Sequence, residues 1–198
     1  MNVHGSASIE KNPGRWSSAL LEGYLSVSAV GVLSGIVTAY ARTPLHWPGH
    51  KAIFWMAPIL AARLVTRASA GASVGALATA ITTLFLGGRI AGGITLMPLI
   101  ILAGVVLDLG VQLGERHRSS LGRRILLLVL AGLIANLICF VKRLAEPMGA
   151  FLSPGNLDDL LVAGSSHAIF GCISGLLGAT AGFVLLKFRS FSKPGFLK

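Results

Sequence analysis

Residues 121–145 read LGRRILLLVLAGLIANLICFVKRLA, and this stretch decides the fold class. Between Arg124 and Lys142 it carries no charged side chain, and Asn136 is its one strongly polar interruption. A helix needs roughly 20 predominantly apolar residues to cross the hydrocarbon core of a bilayer. The stretch therefore predicts a membrane-spanning helix with basic residues near both ends.

The same criterion, applied outward from this stretch, predicts five further spans. The predicted spans are about 19–41, 52–65, 70–88, 90–113, 121–145 and 165–187. The second is too short in its apolar part to cover a full bilayer and contains Pro58, so it must be tilted, broken or sheltered by its neighbours. The sequence therefore predicts an all-α integral membrane protein, a bundle of six transmembrane helices.

The rest of the chain is predicted to lie outside the bundle. The membrane domain covers residues 19–188, after a polar cytoplasmic segment (1–18) and before a basic cytoplasmic tail (189–198). Residues 146–164 contain Pro147, Pro154 and a pair of aspartates, and they predict an ordered or interfacial loop.

Composition supports a membrane protein and excludes several other classes. Of the 198 residues, 54% are hydrophobic and only 12% are charged, and the mean hydropathy is +0.77. A soluble domain carries about 25% charged residues. This deficit argues against a cytosolic enzyme, a disordered tail or a nucleic-acid-binding module, and it makes anionic lipid the expected partner of the net charge of +10. Cys139 and Cys172 lie in apolar runs and are expected to be small buried side chains.

Basic residues predict the orientation of the bundle. Of the 17 Lys and Arg residues, twelve fall on the side of the N-terminus and five on the opposite side. Cytoplasmic loops carry the excess of Lys and Arg, so both termini are predicted to be cytoplasmic in a cell-membrane protein that crosses several times.

The loop after the first span is the strongest candidate for a binding site. Residues 41–51 read ARTPLHWPGHK, and two prolines with a glycine predict a rigid connection that holds two histidines and a tryptophan in place. A rigid loop loses less entropy when a ligand binds. Several polar or aromatic residues of later spans are predicted to lie on the same outer side, as a small-solute pocket requires. The predicted solute-binding residues are His46, Trp47, His50, Trp55, Asn136, Ser166 and His167.

Three alternatives stand beside this interpretation of the outer side. Trp47 and Trp55 also suit the aromatic belt at a membrane interface, and the loop could be plainly solvated. A metal site is the third, but His46 and His50 are separated by Pro48 and Gly49, so they would need a third ligand such as His167.

Asp108 is the clearest ionisable residue inside a predicted span. A carboxylate within a membrane needs a partner, and Arg63, Arg116 and Arg118 are the candidates on the inner side. We expect a structural ion pair of Asp108 with Arg63, and a proton relay is the alternative.

Small residues recur every four positions in three spans, which lets helix backbones approach closely in lipid. In the third and sixth spans this pattern predicts packing inside the bundle. In the first span Gly31, Gly35 and Ala39 could equally face a separate membrane partner.

No P-loop or zinc-protease signature is present. The sequence lacks GxxxxGK[ST] and HExxH, and we predict a protein that is not an enzyme and has no cofactor. Two other classes remain open: a haem- or metal-dependent membrane enzyme using His46, His50, His117 and His167, and an accessory scaffold without a ligand.

The pattern resembles the substrate-binding S component of energy-coupling factor (ECF) importers over about residues 19–187. The resemblance rests on six short helices with an outer loop after the first, and on three phrases. These are GASVGAL at 71–77, PLIILAGVVLDL at 98–109 and IFGCISGLLG at 169–178.

The resemblance implies a subunit that binds a vitamin-like solute from outside with high affinity. Such a subunit works with a transmembrane coupling subunit and cytoplasmic ATPases, and it docks through small residues of the first helix, here Gly31, Gly35 and Ala39. Family members typically have alanines there, so the glycines are a departure. The metal-ion branch of the family begins Met-His, whereas this chain begins Met-Asn-Val-His, which makes a metal-specific subunit the less favoured alternative.

Overall fold

The structure is a computed structural model that describes residues 13–41, 47–66, 68–87, 97–116, 120–144 and 154–191. All regular secondary structure in these ranges is α-helical. The helices are α1 (Pro13–Tyr40), α2 (Ala52–Thr66), α3 (Gly71–Phe85), α4 (Met97–Arg116), α5 (Leu121–Leu144) and α6 (Pro154–Phe191). Four of them, α1, α4, α5 and α6, are long and apolar enough to cross a membrane.

The helices pack in a closed ring, in the order α1, α3, α4, α5, α6, α2 and back to α1. The short helix α2 also contacts α3 and α4 across the ring. Met56, Ile59 and Leu60 of α2 are almost fully buried, as is Arg63. The predicted second span is therefore sheltered by its neighbours. Its 15 residues extend over only about 22 Å as a helix.

Small residues form the closest contacts between helices. Gly132 of α5 packs against Gly171 and Gly175 of α6, where a Cβ on Gly175 would lie 2.6 Å from the Leu128 carbonyl oxygen. Two further glycines of α6 face α2 in the same way, since a Cβ on Gly178 would lie 2.9 Å from the Ala57 oxygen. These contacts explain the helical spacing of small residues in the sixth span.

The glycines of α1 pack inside the bundle, which corrects their prediction as a docking surface. Gly31 and Gly35 are buried against α3, and a Cβ on Gly35 would lie 2.9 Å from the Thr79 oxygen. Thr79 Oγ1 donates a hydrogen bond of 2.8 Å to the Gly31 carbonyl, which joins the two helices. Ala39 is half-buried one turn further along. A partner would therefore need another face of α1, because α3 already occupies this one.

The sixth helix begins earlier than the sequence predicted. It starts at Pro154, so the second part of the expected 146–164 loop is helical. A proline is well tolerated in the first turn of a helix, where its missing N–H has no intrahelical acceptor in any case. Residues 145–153, like 88–96, lie outside the described ranges.

Large apolar side chains cover the outside of the long helices. Leu33 of α1, Leu109 of α4 and Leu177 of α6 are each about half exposed or more. Such a surface is compatible with a protein that crosses a membrane several times.

Candidate functional site

The bundle has two polar clusters, one toward each end. We call the end with Trp47 and His50 the outer end and the opposite end the inner end, following the predicted orientation. The outer cluster comprises residues 47–50 with the side chains of α5 and α6 that contact them. The inner cluster comprises Arg63, Asp108 and the residues bonded to them.

The outer cluster begins with a tight turn that leads into α2. Gly49 has a φ of +80°, a conformation that glycine adopts without strain. Its carbonyl oxygen accepts a hydrogen bond of 3.1 Å from the Ala52 backbone N–H at the start of α2. The His50 ring folds back on the turn, with Nδ1 hydrogen-bonded to the Trp47 carbonyl oxygen.

Side chains of α5 and α6 hold this turn by its backbone. Ser166 Oγ donates a hydrogen bond of 2.5 Å to the Pro48 carbonyl oxygen. Asn136 Nδ2 donates to the Gly49 carbonyl oxygen at 3.5 Å and to the His167 carbonyl oxygen at 2.7 Å. Both side chains are buried, so they position the loop rather than present a surface to a ligand.

Gly49 also permits a close approach between the loop and α6. A Cβ at this position would lie 2.8 Å from Cγ of His167. The His167 ring is oriented by a hydrogen bond of 2.8 Å between Nδ1 and the Ala163 carbonyl oxygen. The loop is therefore locked against α6 both by hydrogen bonds and by shape.

Aromatic rings surround the locked loop. Trp47 and His50 each meet Phe170 edge to face, with ring centroids 6.4 Å and 6.3 Å apart. The centroids of the Phe140 ring of α5 and the His167 ring lie 5.3 Å apart. Trp47 is 58% exposed, so its indole presents an open apolar surface beside the enclosed rings.

One polar atom of the outer cluster is left without a partner. His50 Nε2 is buried and forms no hydrogen bond within the described part of the chain. Because the Trp47 carbonyl can only accept, His50 Nδ1 is the donor of their hydrogen bond, and Nε2 of the neutral ring is then an acceptor. A buried polar atom without a partner is costly, and a ligand that donates a hydrogen bond would remove that cost.

The structure brings most of the predicted site residues together. Trp47, His50, Asn136, Ser166 and His167 all belong to the outer cluster, while His46 lies outside the described residues. Trp55, which was also predicted to contact the solute, lies outside this cluster. Its side chain is only 6% exposed and belongs to the hydrophobic core with Ala52, Met56 and Ile59.

Two aromatic members of the cluster were missed in the sequence. Phe140 follows Asn136 by four residues, and Phe170 follows Ser166 by four. Residues four apart on a helix lie on the same face, so this spacing was the available signal.

The described ranges contain no site with three potential metal ligands. Among those residues, no three His, Cys, Asp or Glu side chains lie close enough together to hold a metal ion.

The inner cluster is built around the Asp108 carboxylate. Arg63 Nε donates to Asp108 Oδ1 at 2.9 Å, and both side chains are almost fully buried. The backbone N–H groups of Ala72 and Ser73 donate to the carboxylate at 3.0 Å and 2.9 Å, and Ser73 Oγ donates at 2.7 Å. Asp108 thus satisfies the free N–H groups at the start of α3, where a negative charge is favoured.

Further hydrogen bonds join the turn between α2 and α3 to this cluster. The Ser69 carbonyl oxygen accepts from Arg63 Nη2 at 3.4 Å and from Gln112 Nε2 at 3.2 Å. Ser69 Oγ lies 3.1 Å from the Tyr24 hydroxyl of α1. Arg63 Nη1 alone has no acceptor in the described part of the chain. Because four donors surround its carboxylate, Asp108 acts as a structural anchor of α2, α3 and α4.

Comparisons with known proteins identify no relative. No family model matches the chain, and no curated protein or solved structure matches it significantly.

Proposed function

We propose that this chain is the solute-binding membrane subunit of an ATP-driven importer of the ECF type, with six membrane crossings and both termini in the cytoplasm. One observation carries the proposal. The outer cluster combines a pre-ordered loop, an exposed indole and a buried imidazole nitrogen that has no partner among the described residues. Apolar walls with a few convergent polar groups are typical of small-molecule sites.

The residues of the outer cluster have separate roles in this proposal. Trp47 supplies an aromatic surface for a solute, and His50 Nε2 accepts a hydrogen bond from it. Asn136, Ser166 and Gly49 are positioning residues, because they hold the loop whose Trp47 and His50 rings both contact Phe170. A site that is ordered before binding loses less entropy on association.

Release of the solute requires the loop to leave α6. The bonds from Ser166 to Pro48 and from Asn136 to Gly49 are the contacts that must break. Each contributes about 1 kcal/mol net, which is small enough for a partner protein to shift the equilibrium. In the proposed assembly a transmembrane coupling subunit drives this change with energy from cytoplasmic ATPases. The docking face on this chain is one other than Gly31 and Gly35.

Native mass spectrometry of the protein purified from its own membranes tests the solute site. We expect a small molecule to be retained by the wild type and lost from Trp47→Ala and His50→Ala. Phe85→Ala is the matched control, because Phe85 is 85% exposed at the outer end of α3 and belongs to neither cluster. A wild-type protein that never carries a small molecule, or equal retention by Trp47→Ala and the control, would contradict the proposed site.

A pull-down from native membranes tests the importer assembly separately. The proposal expects a membrane coupling subunit and ATPases to co-purify with the chain in mild detergent. If a solute is retained but such partners are repeatedly absent, the binding site stands and the importer assignment fails.

A further inference from the structure

Arg124 belongs to neither polar cluster, yet three helices hold its side chain in place. It lies in the first turn of α5, where its backbone N–H donates to the Ser120 carbonyl oxygen at 3.2 Å. Its stem lies beside Gly114 of α4, since a Cβ on that glycine would be 3.9 Å from the Arg124 Cβ. Its guanidinium carbon lies 4.8 Å from the centroid of the Phe183 ring in α6.

The positive charge of Arg124 is not neutralised within the described part of the chain. Arg124 Nε is buried and has no hydrogen-bond partner there. Among the described residues the ion pair joins Arg63 to Asp108, and Arg124 takes no part in it. A cation that is stacked on an aromatic ring and has no carboxylate beside it is well prepared to bind an anion.

The surroundings of Arg124 combine further positive charge with exposed apolar surface. Arg123 is exposed next to it, and Lys187 is exposed one helical turn beyond Phe183. Leu121, three residues before Arg124, is 58% exposed, and Leu176, seven residues before Phe183, is 48% exposed. These spacings place each leucine on the same helix face as the residue it precedes. Cationic and apolar groups therefore adjoin where α5 begins and α6 ends.

We propose that the cleft between α5 and α6 at the inner end binds the phosphate of an anionic phospholipid, with Arg124 as its principal ligand. The planar guanidinium can donate two parallel hydrogen bonds to a phosphate. The exposed Leu176, which lies from Phe183 toward the middle of the bundle, would contact the acyl chains. The adjoining apolar faces favour a lipid over an acidic protein, which would need only the charges. This site is independent of the proposed solute site at the opposite end.

Native mass spectrometry of the purified full-length protein tests this site. The protein is titrated with dioleoyl phosphatidylglycerol and dioleoyl phosphatidylcholine, which share acyl chains and differ in headgroup charge. We expect the wild type to prefer phosphatidylglycerol. Arg124→Gln should lower this preference about fivefold or more, since one basic residue near anionic lipid contributes about 1 kcal/mol.

Arg123→Gln is the matched control, because it removes the same charge from the adjacent exposed position. We expect it to lower the lipid preference by less than twofold, and Arg124→Lys, which keeps the charge and loses the planar group, to give an intermediate value. Equal losses in the Arg123 and Arg124 variants would overturn the site in favour of diffuse surface charge. Displacement of phosphatidylglycerol by an equal concentration of inorganic phosphate would overturn the lipid assignment, because the apolar contacts should make the lipid the tighter ligand. The lipid assignment would also be overturned if Arg124→Gln kept its lipid preference but no longer co-purified with an acidic protein that the wild type retains.

Discussion

The two polar clusters both contain buried hydrogen-bonding side chains, but these side chains serve different purposes. In the inner cluster a carboxylate and a guanidinium face each other at 2.9 Å, and three more donors complete the coordination of Asp108. In the outer cluster the buried side chains of Asn136 and Ser166 bind the backbone of a loop. That loop presents an exposed Trp47 and a His50 Nε2 atom that forms no hydrogen bond with the part of the chain the structure describes.

The difference shows what each cluster can do. The inner carboxylate is fully engaged with protein donors, so we assign Asp108 to stability rather than to proton transfer. The outer cluster directs its hydrogen bonds toward shaping a loop and leaves its aromatic surface open. Substitutions in the inner cluster should therefore act on folding, whereas substitutions in the outer cluster should act mainly on ligand retention.

The largest effect is expected from Asp108→Ala. The variant leaves Arg63 buried without its ion-pair partner and removes the acceptor of two N–H groups of α3. Breaking a buried ion pair in this way costs about 3–5 kcal/mol in the free energy of unfolding, which can be measured in mixed detergent micelles. Glu115→Ala on the same helix is the control and should change the free energy of unfolding by less than about 0.5 kcal/mol. Similar free energies of unfolding for Asp108→Ala and Glu115→Ala would contradict the assignment of the inner cluster to stability.

A smaller effect is expected from Gly49→Ala in the outer cluster. A residue with a side chain pays about 1–2 kcal/mol for the left-handed conformation, and the added Cβ would also clash with His167. We expect the variant to lose its retained small molecule while the bundle stays folded.

Gly87→Ala separates the cost of the left-handed backbone conformation from the cost of the clash with His167. Gly87 has a φ of +62°, and a Cβ there would meet no atom of the described residues within 4 Å. Gly87→Ala should therefore show only the energetic cost of the left-handed backbone conformation, and it should retain the small molecule normally. If both variants retain the small molecule equally well, the close fit of Gly49 on His167 has no functional role.

The smallest effect is expected from Ser166→Ala, which removes the hydrogen bond to the Pro48 carbonyl. The loss should be about 1 kcal/mol and local, so hydrogen exchange of the amides at 49–53 should become about fivefold faster. Ser165→Ala is the control, because Ser165 is the exposed neighbour on the same helix. Exchange that accelerates equally in both variants would show that Ser166 does not hold the loop.

Much of the architecture could be predicted from apolar length alone. The stretch around 125–141 and its counterparts predicted the all-helical bundle, and the fifth helix begins at the predicted residue. The start of the sixth helix could not be predicted this way, because Pro154 suits both a loop and a first helical turn. The short apolar length of the second span allowed three outcomes, and the packing of α2 against its neighbours decided among them.

The sites were predictable in part, for a different reason. The orientation of the spans placed Trp47, His50, Asn136 and His167 at one end, and the structure brings them together. The sequence did not show that Trp55 points into the core, since this depends on how α2 is rotated within the ring. Nor did it show that Gly31 and Gly35 face α3, because a small-residue stripe suits an internal and an external partner equally.

The proposed solute site requires the outer cluster to face the outside of the cell. This can be measured with a membrane-impermeant maleimide on intact cells and inverted vesicles, using single cysteines introduced after Cys139 and Cys172 are changed to alanine. Trp47→Cys reports the outer end and Gly122→Cys the inner end, since Trp47 is exposed and Gly122 borders open space. We predict that Trp47→Cys is labelled in intact cells and Gly122→Cys only in inverted vesicles. The reverse pattern would place the outer cluster in the cytoplasm and contradict the proposed role in solute uptake.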